Sequence, residues 1–204
     1  VDYAIVRCGY GMNDRYQDDD YWYTNADACE RYGIPFGTYL YSYADTVEKA
    51  KSEAEHVLRL VKGYDLSYPI YYDLEHDPVR NKLSRTQIAD IAEAFCDTIE
   101  AAGYEVAIYA NTDWFTNYLT DSRFDQWDKW VAQYNTTCTY TGRYTMWQCS
   151  SQGKIDGITG NVDLNIEFSD DIHSVAGANG FCQSPADNQW YYYINGKVQY
   201  STSS

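Results

Sequence analysis

The chain has 204 residues, the size of one domain or of one domain plus a fragment. Fifteen Lys and Arg against thirty Asp and Glu give a formal charge of −15, which speaks against a nucleic-acid phosphate backbone as partner. No uninterrupted apolar run approaches the ~20 residues of a membrane span, and the 45% hydrophobic content is that of a globular chain.

The chain begins directly on an apolar stretch with neither the basic start nor the cleavage site of a signal peptide, and reads as an excised piece of something longer. Ala4 to Cys8 predicts a strand ended by Gly9-Tyr10-Gly11, and Asp18, Asp19 and Asp20 read as a solvated loop. A short helix is expected around Asn25 to Arg31, stopped by Gly33 and Pro35, followed by a strand over Phe36 to Tyr43. Asp45 with Glu48 reads as a capping box. It opens a helix that carries Val47, Ala50, Ala54, Val57, Leu58 and Val61 on one face and ends at Gly63. Tyr68 to Glu75 reads as a third strand. Ser84 with Gln87 is a second capping box, for a helix bearing Ile88, Ile91, Ala92, Phe95 and Ile99. Val106 to Ala110 and Lys129 to Tyr134 read as strands, with a short helix over Thr112 to Leu119 between them. Tyr144 to Cys149, Lys154 to Ile158 and Asn161 to Ile166 then read as strands without intervening helices. Strand–helix alternation predicts an α/β fold with a parallel sheet covered on both faces, either a barrel or an open sheet, and the late bare strands make any barrel irregular.

Tyr is unusually abundant at 23 residues, beside six Trp and six Phe. A tyrosine ring has an apolar face and a polar tip, which matches the apolar faces and polar edges of a sugar. Six Cys at 8, 29, 96, 138, 149 and 182 allow fifteen full pairings; without CxxC spacing and with only three His they argue against zinc. No metal or cofactor is expected. Cys138 and Cys149 flank a stretch that reads as a hairpin turn at Gly142, and a disulfide is expected between them. Cys8 and Cys96, inside apolar patterns, are expected as buried thiols.

The chemistry-bearing segment is Tyr68-Pro-Ile-Tyr-Tyr-Asp-Leu-Glu-His-Asp77, where an apolar strand turns abruptly polar. Asp73 and Glu75 stand two apart, so on a strand they face the same side, with Cα atoms roughly 6.6 Å apart. Neighbouring carboxyls repel as anions, so one holds its proton to higher pH, which is how a glycosidase obtains an acid and an anion from like residues. A solvated strand end is the competing reading. Asp163, flanked by Val162 and Leu164, is a further candidate acid. Tyr41 and Tyr43 on the second strand, and Tyr109, Asn111, Trp147 and Gln148 near later strand ends, are candidate sugar contacts; Tyr39, deeper in its strand, reads as packing. No GxSxG, GxxxxGK or HExxH motif is present.

Seven stretches occur in the order found in the glycoside hydrolase family 25 lysozymes, which the chain resembles over residues 1–168. They are Ile5-Val-Arg-Cys-Gly-Tyr-Gly11, Gly33-Ile-Pro-Phe-Gly-Thr-Tyr-Leu-Tyr-Ser-Tyr43, Pro69-Ile-Tyr-Tyr-Asp-Leu-Glu75, Gly103-Tyr-Glu-Val-Ala-Ile-Tyr-Ala-Asn111, Trp130-Val-Ala-Gln-Tyr134, Met146-Trp-Gln148 and Val162-Asp-Leu-Asn165. The resemblance implies an irregular (β/α) TIM-like barrel that hydrolyses the β-1,4 bond between N-acetylmuramic acid and N-acetylglucosamine in peptidoglycan. It implies Glu75 as general acid, Asp73 as the assisting carboxylate and Asp163 as the acid of the late strand. The family's first strand, an Asp-bearing Gly-Ile-Asp-Val-Ser type stretch, has no counterpart here, and Asp2 precedes the following strand. A non-catalytic glycan-binding wall domain is the rival reading; an amidase or peptidase is disfavoured by the lack of a zinc or Cys–His constellation. The implied partner is bacterial cell-wall peptidoglycan, met by a secreted or wall-associated monomer. Residues 169–188 read as a linker, and 189–204 as a hairpin turning at Asn195-Gly196 or the start of a Trp- and Tyr-rich repeat.

Overall fold

The structure is a computed structural model that describes residues 2–168, 180–183, 190–194 and 197–198. Two compact units divide the chain, Val1–Gln133 and Tyr134–Ser204.

In the first unit the strands are β1 (Ala4–Tyr10), β2 (Phe36–Tyr41), β3 (Ile70–Asp73), β4 (Val106–Asn111) and β5 (Asp128–Ala132). They lie side by side in chain order, every pairing parallel. The helices are α1 (Trp22–Tyr32), α2 (Val47–Val61), α3 (Asp77–Arg80), α4 (Arg85–Ala101) and α5 (Thr112–Asn117). Both faces of the sheet are covered, so β3 is buried at all four positions, as parallel sheets require. On one face Tyr72 lies flat on Phe95 of α4, with centroids 3.8 Å apart and planes 6° apart. On the other, Tyr39, Tyr71 and Tyr109 crowd edge-on around Trp130 at 6.2, 5.0 and 4.5 Å. Tyr39 is thus packing, as expected.

Local sequence explains the ends of these elements. The Ser84–Gln87 capping box forms in full. The box expected at Asp45 and Glu48 is displaced by one residue. Thr46 caps α2 by accepting the Lys49 N–H, and Asp45 binds the Lys49 ammonium at 2.6 Å. A helix starting one residue later puts Lys49, not Glu48, at the third position, so no reciprocal bond can close. Helix α1 starts earlier than expected because the indole of fully buried Trp22 donates to Leu60 O and belongs to the core. Gly37 on β2 lies so close to the segment entering β3 that an added Cβ would stand 2.6 Å from Tyr68 Cβ and 2.7 Å from Pro69 O.

The acidic run after β1 is not merely solvated. Asp18 takes hydrogen bonds from Arg59 at 2.5 and 3.0 Å and lies 2.8 Å from His56 Nε2, while Asp19 pairs with Arg7. Buried His56 also meets Gly11 O through Nδ1, so this connection is tied to α2.

In the second unit β6 (Met146–Gly153) pairs antiparallel with β7 (Val162–Glu167). Lys154 to Ile158, expected as a strand, is the connection between them. The register shifts between Gln148 and Ser150, leaving Cys149 as an extra residue. The expected Cys138–Cys149 disulfide is not formed: both are free thiols. Its premise, a hairpin about Gly142, fails because β6 takes β7 as partner and Cys149 Sγ turns to Leu164 O at 3.4 Å. Cys8 and Cys96 are buried thiols as expected, joined by Cys29.

Strands β8 (Gly180–Gln183), β9 (Trp190–Ile194) and β10 (Lys197–Val198) form an antiparallel sheet. β8 falls within the stretch read as a linker, whose other residues lie outside the described ones, as do Asn195 and Gly196 of the expected turn. Among the described residues no helix is long and apolar enough to cross a membrane.

Maleimide labelling of the folded chain should modify Cys138 and Cys149 but spare Cys8, Cys29 and Cys96 until denaturant is added. Joint protection of Cys138 and Cys149, reversed by a reductant, would restore the disulfide.

Candidate active site

The carboxyl ends of the parallel strands place one row of side chains in register. Tyr10 of β1 pairs with Tyr41 of β2, Tyr41 with Asp73 of β3, Asp73 with Tyr109 of β4, and Tyr109 with Trp130 of β5. Register partners on parallel strands face the same side. An acid therefore stands between tyrosines at the end of a parallel sheet where barrel enzymes carry their chemistry. The ladder continues beyond the row: Ser42 N–H donates to Asp73 O at 3.0 Å and Leu74 N–H to Tyr109 O at 2.9 Å.

Asp73 is buried, and its Oδ1 has no hydrogen-bond partner. Burial, and then the neighbouring Glu75, push its carboxyl well above the usual carboxylate range, with Arg7 pulling the other way. Glu75 lies two residues on, past the end of β3 and half-buried. Strand alternation therefore does not fix the direction of its side chain. Burial, followed by Glu75 and Asp73, also lifts the Tyr41 phenol to about 12.

Tyr41 and Tyr43 form a tilted pair with centroids 5.0 Å apart, and His76 meets Tyr43 edge-on at 4.7 Å and Tyr41 at 6.1 Å. Tyr10 stands edge-on to Tyr43 at 6.1 Å. Tyr43 is 43% exposed and so offers ring surface to a ligand, whereas Tyr109 is buried. Asn111, a candidate sugar contact, caps α5 by accepting the Trp114 N–H at 3.0 Å. Its carbonyl oxygen is thus already engaged.

The structure therefore brings together Asp73, Glu75, Tyr41, Tyr43 and Tyr109 within the first unit. Trp147, Gln148 and Asp163 belong to the second. There Trp147 and Gln148 are buried on β6, and Gln148 accepts the Tyr134 hydroxyl at 3.0 Å. Asp163 is exposed on β7, and partial desolvation of its carboxyl pushes its pKa upward. Sequence reasoning missed Tyr10 and His76. Each was recoverable, Tyr10 as the last residue of its strand and His76 as the immediate neighbour of Glu75. Among the described residues no group of three or more His, Cys, Asp or Glu is placed to hold a metal ion.

The family model "Glycosyl hydrolases family 25" matches residues 1–158. The chain belongs to this family. The match ends before Asp163. Among curated relatives, the autolytic lysozyme of Clostridium acetobutylicum is 30% identical over 151 residues, covering 72% of this chain and 43% of the relative. Among solved structures, the modular autolysin LytC from Streptococcus pneumoniae is 31% identical with a TM-score of 0.71, over 81% of this chain and 40% of that one. A family 25 glycosyl hydrolase from Bacillus anthracis, 22% identical, shares the fold at a TM-score of 0.71 over 83% of this chain and 79% of its own. The chain thus spans less than half of the first two proteins. The likeness to these structures shows the irregular (β/α) barrel class expected from the sequence.

The Asp73 carboxyl has a measurable signature. Unfolded, an Asp releases its proton near pH ~3.9. Folded Asp73 keeps its proton to higher pH, so above pH ~3.9 the native state binds more protons and stability falls as pH rises towards the folded pKa. Asp73→Asn removes this loss. Its Tm should match the parent near pH ~3.5 and exceed it increasingly towards pH ~7. A Tm difference that stays constant with pH would mean that folding leaves the Asp73 pKa unshifted.

Proposed function

We propose that this family 25 chain is a peptidoglycan muramidase that hydrolyses the β-1,4 bond between N-acetylmuramic acid and N-acetylglucosamine at the bacterial wall, outside the cytoplasmic membrane. One observation carries the reading: a buried carboxyl with an unpartnered oxygen, Asp73, sits beside Glu75 at the end of a parallel sheet and among tyrosine rings. A domain that only bound sugar would gain nothing from two acids that repel each other.

Glu75, less buried than Asp73, is the general acid and base. It gives a proton to the leaving glycosidic oxygen as the C–O bond breaks, and then takes one from the attacking water. Asp73 assists. Its unpartnered oxygen can accept the N–H of the substrate's 2-acetamido group and so orient the acetamido oxygen towards the anomeric carbon. Attack by that oxygen displaces the leaving sugar, and water later displaces the oxygen, so configuration is retained. Carboxylate attack on the anomeric carbon is the competing route.

Burial fits this division of labour. In the free protein desolvation raises the hold of Asp73 on its proton. A bound acetamido N–H favours the Asp73 anion, and repulsion between the two acids then favours the proton on Glu75, where the leaving oxygen needs it. Substrate thus arms its own acid. Tyr41 and Tyr43 supply the ring wall on which a sugar face rests. Asp163 is proposed as a third acid on its motif alone, and Trp147 and Gln148 as sugar contacts on theirs.

Glu75→Gln should lower the clearance rate of a bacterial wall suspension by at least ~10²-fold, the usual worth of acid–base catalysis. Mass spectrometry of the parent's digest should find reducing muramic acid ends. Equal clearance by parent and variant defeats the assignment of Glu75. Wall binding without new reducing ends marks a glycan-binding module instead.

A further inference from the structure

Helix α2 buries an acid where its neighbours are apolar. Glu53 sits on the face that carries Ala50, Ala54, Val57 and Leu60, with no accessible surface. Among the described residues no Lys or Arg forms an ion pair with it. Burial pushes its carboxyl upward, and hydroxyl and amide donors pull it back. Packing alone favours an apolar side chain at such a position.

The donors that converge on this carboxyl come from two segments only, and both carry the candidate site. Glu53 Oε1 accepts the backbone N–H of Tyr43 at 2.8 Å. Oε2 accepts the hydroxyls of Ser42 at 2.8 Å and Tyr72 at 2.6 Å. Ser42 Oγ in turn accepts the Ala44 N–H at 3.2 Å, and Ser42 N–H binds Asp73 O. Tyr72 directly precedes Asp73 on β3. Residues 43 and 44 lie past the last of the ladder bonds, Ser42 N–H to Asp73 O, so their backbone amides are held from elsewhere.

The geometry points to Glu53 as a positioning residue: from behind the sheet its carboxyl fixes the segment that presents the Tyr43 ring, and with it the ring wall beside Asp73 and Glu75. This rests on the muramidase reading for the identity of the ligand, a chain of N-acetylated sugars. Without the carboxyl, the Tyr43 amide loses its acceptor and the ring loses its fixed place 5.0 Å from Tyr41 and 4.7 Å from His76. Binding then weakens while the reacting acids stay in place.

The test compares Glu53→Ala and Glu53→Gln in the full chain, with two readouts: wall hydrolysis kinetics, and the Kd for a soluble N-acetylglucosamine tetramer read by intrinsic fluorescence. For Glu53→Ala the expected result is KM and Kd both raised about tenfold, with kcat within about twofold of the parent. Glu53→Gln should restore both. Its carbonyl oxygen can take the Tyr43 N–H, and its NH₂ can donate to the Ser42 or Tyr72 oxygen once those hydroxyl protons rotate away. A folded Glu53→Ala whose KM and Kd equal the parent's overturns the inference, as does a fall in kcat alone. If Glu53→Ala does not fold, Glu53→Met fills the same buried space and still removes the acceptor of the Tyr43 N–H. A rise in its KM and Kd supports the role, and parental values overturn it. A parent that binds the tetramer but clears no wall defeats the muramidase reading, and the Kd comparison still decides the role of Glu53.

Discussion

The structure turns on a carboxyl group kept out of water. Moving an ionised acid into a protein interior costs several kcal/mol, so a buried acid either finds partners or keeps its proton. Asp73 leans to the second: one of its oxygens meets no donor, and burial and the like charge of Glu75 outweigh the pull of Arg7, raising its carboxyl pKa. A parallel sheet covered on both faces creates this condition. With helices on one side and an aromatic layer on the other, little water reaches β3, and its last residue inherits that dryness.

The same sheet separates duties by face. Odd-numbered positions of β3 hold Tyr71 and Asp73, which look towards the aromatic layer and the candidate site. Tyr72 looks the other way, into the helices, and meets Phe95 and Glu53. Support and chemistry therefore occupy opposite sides of one short strand. The connection after β1 is held by a separate set of contacts, with His56 and Arg59 of α2 gripping Asp18. One helix thus anchors two of the loops at the carboxyl ends of the strands.

Much of this was legible in the sequence because it rests on short-range patterns. The strand–helix alternation of the first unit, the Ser84–Gln87 cap and the polar break after Tyr72 all lie within a few residues of one another. So did the pairing of Asp73 with Glu75, although β3 ends before Glu75 and strand alternation does not extend to it. What stayed hidden depends on distant partners. Glu53 reads as one more helix charge until Ser42 and Tyr72 are placed against it. Asp18 and Asp19 read as solvent-facing until His56, Arg59 and Arg7 arrive. Cys138 and Cys149 suggested a hairpin because they flank a short polar stretch with Gly142, but β6 takes β7 as its partner instead.

Gly37 carries a consequence for the evolution of this fold. The chain entering β3 lies against its backbone so closely that even a methyl group would collide with Tyr68 and with the carbonyl of Pro69. The two strands are therefore locked at the end opposite the acids. Any side chain at position 37 would have to push away the segment that enters β3, and with it the start of the strand that ends in Asp73.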